Sequence, residues 1–117
     1  MNTTTILAAM LVAAFAVLGS AKLAAVPAMR TRAEHVGFSV AAYRRIGVLE
    51  FLGVAGLVAG AAFPAVGALA GLGLLLLLGG AIMTHLRNGD GLRELAPAVV
   101  LGVVALSYLV LVLEGLS

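Results

Sequence analysis

Apolar residues run almost unbroken along four stretches of this chain, and the polar positions gather between them. A bilayer core about 30 Å thick is crossed by roughly 20 apolar residues of helix. Stretches of that length run from Thr5 to Ala25, Ala42 to Ala62, Val66 to Leu86 and Ala96 to Glu114. In lipid the backbone N–H and C=O groups must bond within their own segment, so the valines and isoleucines here predict helices rather than strands. The expected fold is all-α: a polytopic membrane protein whose four transmembrane helices form an antiparallel bundle, one domain over residues 1–117.

The polar intervals are unequal. Pro27 is expected to end the first helix, followed by a polar loop from Ala28 to Tyr43 that holds Arg30, Arg32, Glu34 and His35. Its later part, Val36 to Ala42, is expected along the membrane surface. Only Phe63-Pro64-Ala65 joins the second and third helices, which predicts a tight hairpin. Asn88-Gly89-Asp90-Gly91 is a turn signal between the third and fourth helices. Pro97 is expected in the first turn of the last helix, where a missing N–H costs nothing.

Composition agrees with lipid as the main solvent. The chain is 63% hydrophobic and 10% charged, against about 45–50% and about 25% for soluble domains. The absence of cysteine removes disulfides, thiol relays and any thiolate-bound or thiol-linked cofactor. A net charge of +2 does not point to nucleic acid. The opening Met-Asn-Thr-Thr-Thr carries no Lys or Arg, so the first helix is expected to stay as a span rather than be removed as a signal peptide.

Charge also predicts orientation. Arg30, Arg32, Arg44, Arg45, Arg87 and Arg93, with Lys22 close by, all belong to one side of an up-down bundle. The positive-inside rule then makes loops 26–45 and 87–95 cytoplasmic and both termini extracytoplasmic.

Against this background Glu50 stands out inside Gly-Val-Leu-Glu-Phe-Leu-Gly. An unpaired charge at such depth costs a few kcal/mol, and ionisable groups in spans usually face the bundle interior. Gly53, Gly56 and Gly60 follow Glu50 on one helix face. Gly56/Gly60 and Gly67/Gly71 are both Gly-x-x-x-Gly pairs, the kind of face on which membrane helices approach closely. His85 returns to the face of Gly67 and Gly71 after whole helical turns, so docking of the two glycine faces is expected to bring Glu50 and His85 together. Lys22, Glu50 and His85 fall at similar depth near the same side on three different helices, and they form the candidate polar cluster, with Arg45 at the end of the second helix beside it. A plainer reading stands beside it: Lys22 snorkels to the headgroups, His85 is an interfacial polar residue, and Glu50 pairs with Lys22 or Arg45 only to fix helix register. Tyr108, on the last helix, needs a hydroxyl partner that the sequence does not name. Hydrolase, zinc-protease and phosphate-loop motifs are absent, the carboxylates are too scattered for a di-iron site, and His35 and His85 do not form a bis-histidine haem pair, so no metal site is expected and only a single axial haem ligand stays open.

Three segments carry a resemblance: Gly-Ser-Ala-Lys-Leu around Lys22, Arg-Arg-Ile-Gly-Val-Leu-Glu-Phe-Leu-Gly-Val-Ala-Gly-Leu around Glu50, and Ala-Ile-Met-Thr-His-Leu-Arg-Asn-Gly-Asp around His85. In order and spacing the chain resembles the DoxX-like integral membrane proteins, small four-helix proteins of bacteria. The resemblance implies a membrane subunit linked to quinone-dependent oxidoreduction or oxidative-stress defence, with Lys22, Arg45, Glu50 and His85 carried over as a polar cluster. The expected function is a small membrane subunit or a protein binding a quinone-like or lipid-like molecule. Its expected partners are membrane lipids, subunits of a membrane redox complex or further copies of itself. A proton-coupled transporter, a small membrane isomerase and an assembly factor without chemistry remain open beside it.

Overall fold

The computed structural model describes residues 1–117. It is helical throughout, with five helices and no strand: α1 (Thr3–Leu23), α2 (Pro27–His35), α3 (Val40–Ala59), α4 (Pro64–Arg87) and α5 (Leu92–Leu116). The long helices pack in a ring in which α1 meets α3, α3 meets α4, α4 meets α5 and α5 meets α1. Of these, α1, α4 and α5 are long and apolar enough to cross a membrane. The particle is 42 Å along its longest axis, enough to span a hydrocarbon core of about 30 Å with its flanks.

Each long helix buries one narrow stripe. On α1 it is Leu11, Phe15 and Gly19, and on α3 it is Gly47, Glu50, Gly53 and Leu57. On α4 it is Gly67, Gly71, Leu74 and Leu78, and on α5 Ala98, Ala105, Tyr108 and Val112. Steps of three, four and seven keep such residues on one face. Only 18 of the 117 residues are buried. Outside the stripes, Val17, Leu52, Val58, Leu69, Leu76 and Val103 are among many exposed apolar side chains. Apolar surface on this scale marks a surface made for something other than water.

The glycine face of α3 docks on α4. A Cβ on Gly53 would strike Leu74, one on Gly56 would stand 2.6 Å from the Ala70 Cβ, and one on Gly60 2.7 Å from the Gly67 Cα. Positions rise on α3 as they fall on α4, so the two helices are antiparallel. Tyr108 of α5 fills the notch left by Gly60, Gly67 and Gly71 with its ring and hydroxyl. A second close approach joins α1 to α3, where Gly19 and Gly47 meet backbone to backbone.

Several sequence-based boundaries need correction. Asn2 caps α1 through Oδ1, which accepts from the Thr5 N–H at 2.8 Å, so the helix begins at Thr3. It ends at Leu23 without help from Pro27, which instead opens α2 at its first turn. The polar stretch after Pro27 is therefore a nine-residue helix, seated by Met29 and Ala33. A four-residue step puts these two on one face, although the segment as a whole is too polar to register as a span. α3 starts at Val40, where Ser39 Oγ accepts from the Ala42 N–H at 3.0 Å, and ends at Ala59. α4 begins at Pro64 and runs to Arg87. α5 begins at Leu92, which puts Pro97 inside the helix instead of in its first turn. The Arg93 carbonyl thereby loses its usual helical donor.

Candidate functional site

Three helices end alike on the side that carries all seven Lys and Arg residues. Beyond α1, Ala25 takes a left-handed φ of 50° and the Val26 N–H reaches back to the Ala21 carbonyl at 3.2 Å. Beyond α2, Gly37 has φ 78° and the Phe38 N–H donates to the Ala33 carbonyl at 2.8 Å. Beyond α4, Gly89 has φ 73° and the Asp90 N–H donates to the His85 carbonyl at 2.9 Å. These are Schellman caps, which satisfy the last helical carbonyls and reverse the chain. Each delivers a specific residue. The first turns the chain directly after Lys22, the second brings in Phe38, and the third folds Asp90 back onto His85.

Lys22 and Glu50 meet inside this end of the molecule. Lys22 Nζ lies 2.8 Å from Glu50 Oε1, with the side chains only 12% and 4% exposed. Gly19 and Gly47 permit the meeting. Each lies three residues before its charged partner, on the same helix face. The two groups are within ion-pairing distance and both are sheltered from water. The Lys22 ammonium also stands 5.5 Å from the centroid of the Tyr43 ring, within cation–π range. Tyr43 in turn packs edge-on against Phe38, with centroids 6.1 Å apart.

A second polar group forms around Asp90. Its Oδ2 is 2.6 Å from His85 Nδ1 and its Oδ1 is 2.9 Å from His35 Nε2. Asn88 Nδ2 donates to Oδ1 at 3.0 Å. The bond from His85, with those from His35 and Asn88, holds the Asp90 carboxyl below its ordinary range. An ionised carboxylate only accepts, so both imidazoles donate to it. His85 therefore carries its proton on Nδ1 and His35 on Nε2. It follows that the 3.3 Å approach of Asn88 Nδ2 to His35 Nε2 is not a hydrogen bond, because that nitrogen has no free lone pair.

Both groups border one cavity of about 690 Å³. Its apolar wall includes Phe15, Leu18, Leu77, Ala81 and Leu101. Its polar wall includes Lys22, Glu50, Tyr43, His35 and His85, together with Arg32, Arg93 and Glu94. Glu94 is already engaged, since its Oε2 accepts from the Gly91 N–H at 3.1 Å.

Of the residues singled out in the sequence, Lys22, Glu50 and His85 therefore share a cavity, and Lys22 is the direct partner of Glu50. His85 bonds to Asp90, not to Glu50. Arg45 is exposed and does not line the cavity. Sequence reasoning treated His35 as part of a loop and Asp90 as part of a turn. The available signal for Asp90 was its place directly after Asn88-Gly89, where a left-handed glycine returns the next residue to the helix end. Nothing local in the sequence marks His35 as its partner, because the two lie 55 residues apart.

The model of the DoxX-like family matches residues 6–107, a stretch that contains every cavity residue named above. No curated protein and no solved structure matches the chain.

Proposed function

The chain belongs to the DoxX-like family and is a small integral membrane protein; from that premise we propose that it binds a lipophilic molecule with a polar head, quinone-like or lipid-like, in the cavity at its basic end. The observation that carries this reading is the two-sided lining of that cavity. Leucines, alanines and Phe15 form one wall, and Lys22, Glu50, Tyr43 and His85 form the other. Ligand sites of this size combine mostly apolar walls with a few convergent polar groups. The tail lies among the leucines of α4 and α5, and the head meets the Lys22–Glu50 pair and His85.

In this reading α3 is a fourth span, antiparallel to α4. Arg44, Arg45 and Glu50 make it too charged to qualify on hydropathy alone. The arginines lie at its headgroup end, and Glu50 is buried against Lys22. Val48, Leu49, Leu52 and Val58 are exposed along the same helix, which favours lipid around it. The basic end is cytoplasmic, with both termini on the other side of a bacterial inner membrane. The resemblance to membrane subunits of redox or stress metabolism supplies the expected partners, namely lipids, a redox complex or a second copy.

Native mass spectrometry of protein released from mild detergent tests the reading. The expected result is a non-covalent adduct with the mass of a lipophile, lost when Ala81→Phe fills the cavity. A wild-type protein that carries no adduct and takes up no added quinone or lipid saturably would overturn it.

A further inference from the structure

We propose that His85 and Asp90 form the proton-exchanging dyad of the cavity, and that its ligand carries an acidic O–H of the phenol class. The inference rests on the reading of the cavity as a lipophile site. It assigns the chemistry to His85, where the sequence pointed first to Glu50.

The two polar groups differ in what they leave available. Glu50 is turned toward Lys22, an ammonium that neutralises it across 2.8 Å. His85 is arranged differently. Its Nδ1–H is committed to Asp90 at 2.6 Å, which leaves Nε2 with a lone pair. Nε2 makes no hydrogen bond to the protein, and it is not sealed away without a partner. His85 is only 24% exposed, and it lines the cavity. A half-sheltered imidazole, held in one tautomer by a carboxylate and open on its other nitrogen, is the standard geometry of a base that takes a proton from a bound O–H.

Proton movement balances within the site. The ligand O–H bond breaks, its electron pair stays on oxygen, and the proton forms an N–H bond at His85 Nε2. Asp90 faces the resulting imidazolium and offsets its charge. The oxyanion left behind meets cations on the cavity wall, Arg32 from α2 and Arg93 from α5, while Lys22 from α1 lies there paired with Glu50. Glu50 and Tyr43 face the same space from α3, and Glu94 from α5. His35 binds the second oxygen of Asp90 at 2.9 Å and is half exposed, so it positions the carboxylate from the outer side. The ring of the ligand is suggested by the walls, since Phe15, Phe38 and Tyr43 are three of the six aromatic side chains in the protein and all line this cavity.

A long-chain alkyl nitrophenol tests the assignment, because its phenolate absorbs in the visible and its phenol does not. With wild-type protein in lipid nanodiscs, saturable uptake and a phenolate-rich bound state are expected. In His85→Gln and in Asp90→Asn the bound phenolate-to-phenol ratio should fall about tenfold or more, the scale of one charge-assisted hydrogen bond. Nitrogen-15 NMR of histidine-labelled protein gives a second readout without ligand, in which His85 is expected as the Nδ1–H tautomer. No saturable uptake over empty nanodiscs would overturn the lipophile reading itself. Saturable uptake with an unchanged ratio in both variants would leave that reading standing and overturn the dyad. A ratio that falls in Glu50→Gln but not in His85→Gln would overturn it too, by moving the proton to the ion pair. An Nε2–H tautomer for His85 would refute the arrangement even if Asp90→Asn fails to fold.

Discussion

Lys22 on α1 and Glu50 on α3 form an ion pair, Nζ to Oε1 at 2.8 Å, at the point where Gly19 and Gly47 bring the two backbones into contact. Removing one partner from a buried pair leaves an uncompensated charge and costs about 3–5 kcal/mol, whereas replacing both by apolar groups is often neutral. Lys22→Met is therefore expected to destabilise strongly. The double variant Lys22→Met with Glu50→Leu should recover most of the loss. Unfolding in detergent with increasing denaturant measures this. A double variant no more stable than the worse single would mean that the pair does not hold α1 on α3.

The glycines divide into two groups. A Cβ on Gly60 would press on the Gly67 backbone at 2.7 Å, and one on Gly67 would collide with the Tyr108 hydroxyl. Gly60→Ala and Gly67→Ala are each expected to cost about 1–3 kcal/mol by overpacking. Gly73 and Gly79 have open space where a Cβ would go. Alanine there should stabilise by about 0.5–1 kcal/mol through helix propensity alone. Thermal unfolding of the four variants in one detergent makes the comparison. Equal effects at Gly67 and Gly79 would contradict the docked glycine face.

The first two Schellman caps make opposite predictions. Ala25 adopts φ 50° and Gly37 φ 78°. A left-handed residue other than glycine costs roughly 1–2 kcal/mol. Ala25→Gly should therefore stabilise the turn after Lys22 by about 1 kcal/mol, and Gly37→Ala should destabilise the turn before α3 by a similar amount. Arg30 Nε donates to the Ala25 carbonyl at 2.9 Å, a bond that Ala25→Gly keeps. A loss of stability in Ala25→Gly would argue against this backbone.

Much of this architecture is written locally in the chain, and some of it is not. The four long helices lie close to the four apolar stretches, and hydropathy with length marks three of them, α1, α4 and α5, as spans, because lipid demands unbroken apolar runs. The steps of three and four residues placed Glu50 with Gly53, Gly56 and Gly60, and the structure docks that face on Gly67 and Ala70 of α4. What escaped was polar and short. α2 is nine residues with a two-residue apolar face, which a span-length window averages away. The Gly19–Gly47 approach escaped because each glycine looks isolated until α1 and α3 are paired. The Asp90 site escaped because it depends on a left-handed turn at Gly89 and on His35 from a distant helix. Lys22 was legible as a partner of Glu50, but its competitor Arg45 could be set aside only when the face of each residue was known.

Asp90 gives the bundle an acid limit. The bond from His85, aided by those from His35 and Asn88, lowers its carboxyl from the ordinary aspartate range, which lies near about 3.9 in an unfolded chain. A carboxyl lowered in the folded state contributes stability that is fully present above the unfolded value. That contribution is lost as pH falls through the lower folded value. The protein should therefore lose stability on acidification below about pH 4–5, and Asp90→Asn should lose less over the same range. Above that range the Asp90 carboxyl is ionised in both the folded and the unfolded wild type and adds no further pH dependence of its own. Unfolding midpoints measured across the acid range in one detergent test this. Parallel curves for wild type and Asp90→Asn would mean that Asp90 is not held by its histidines in the folded state.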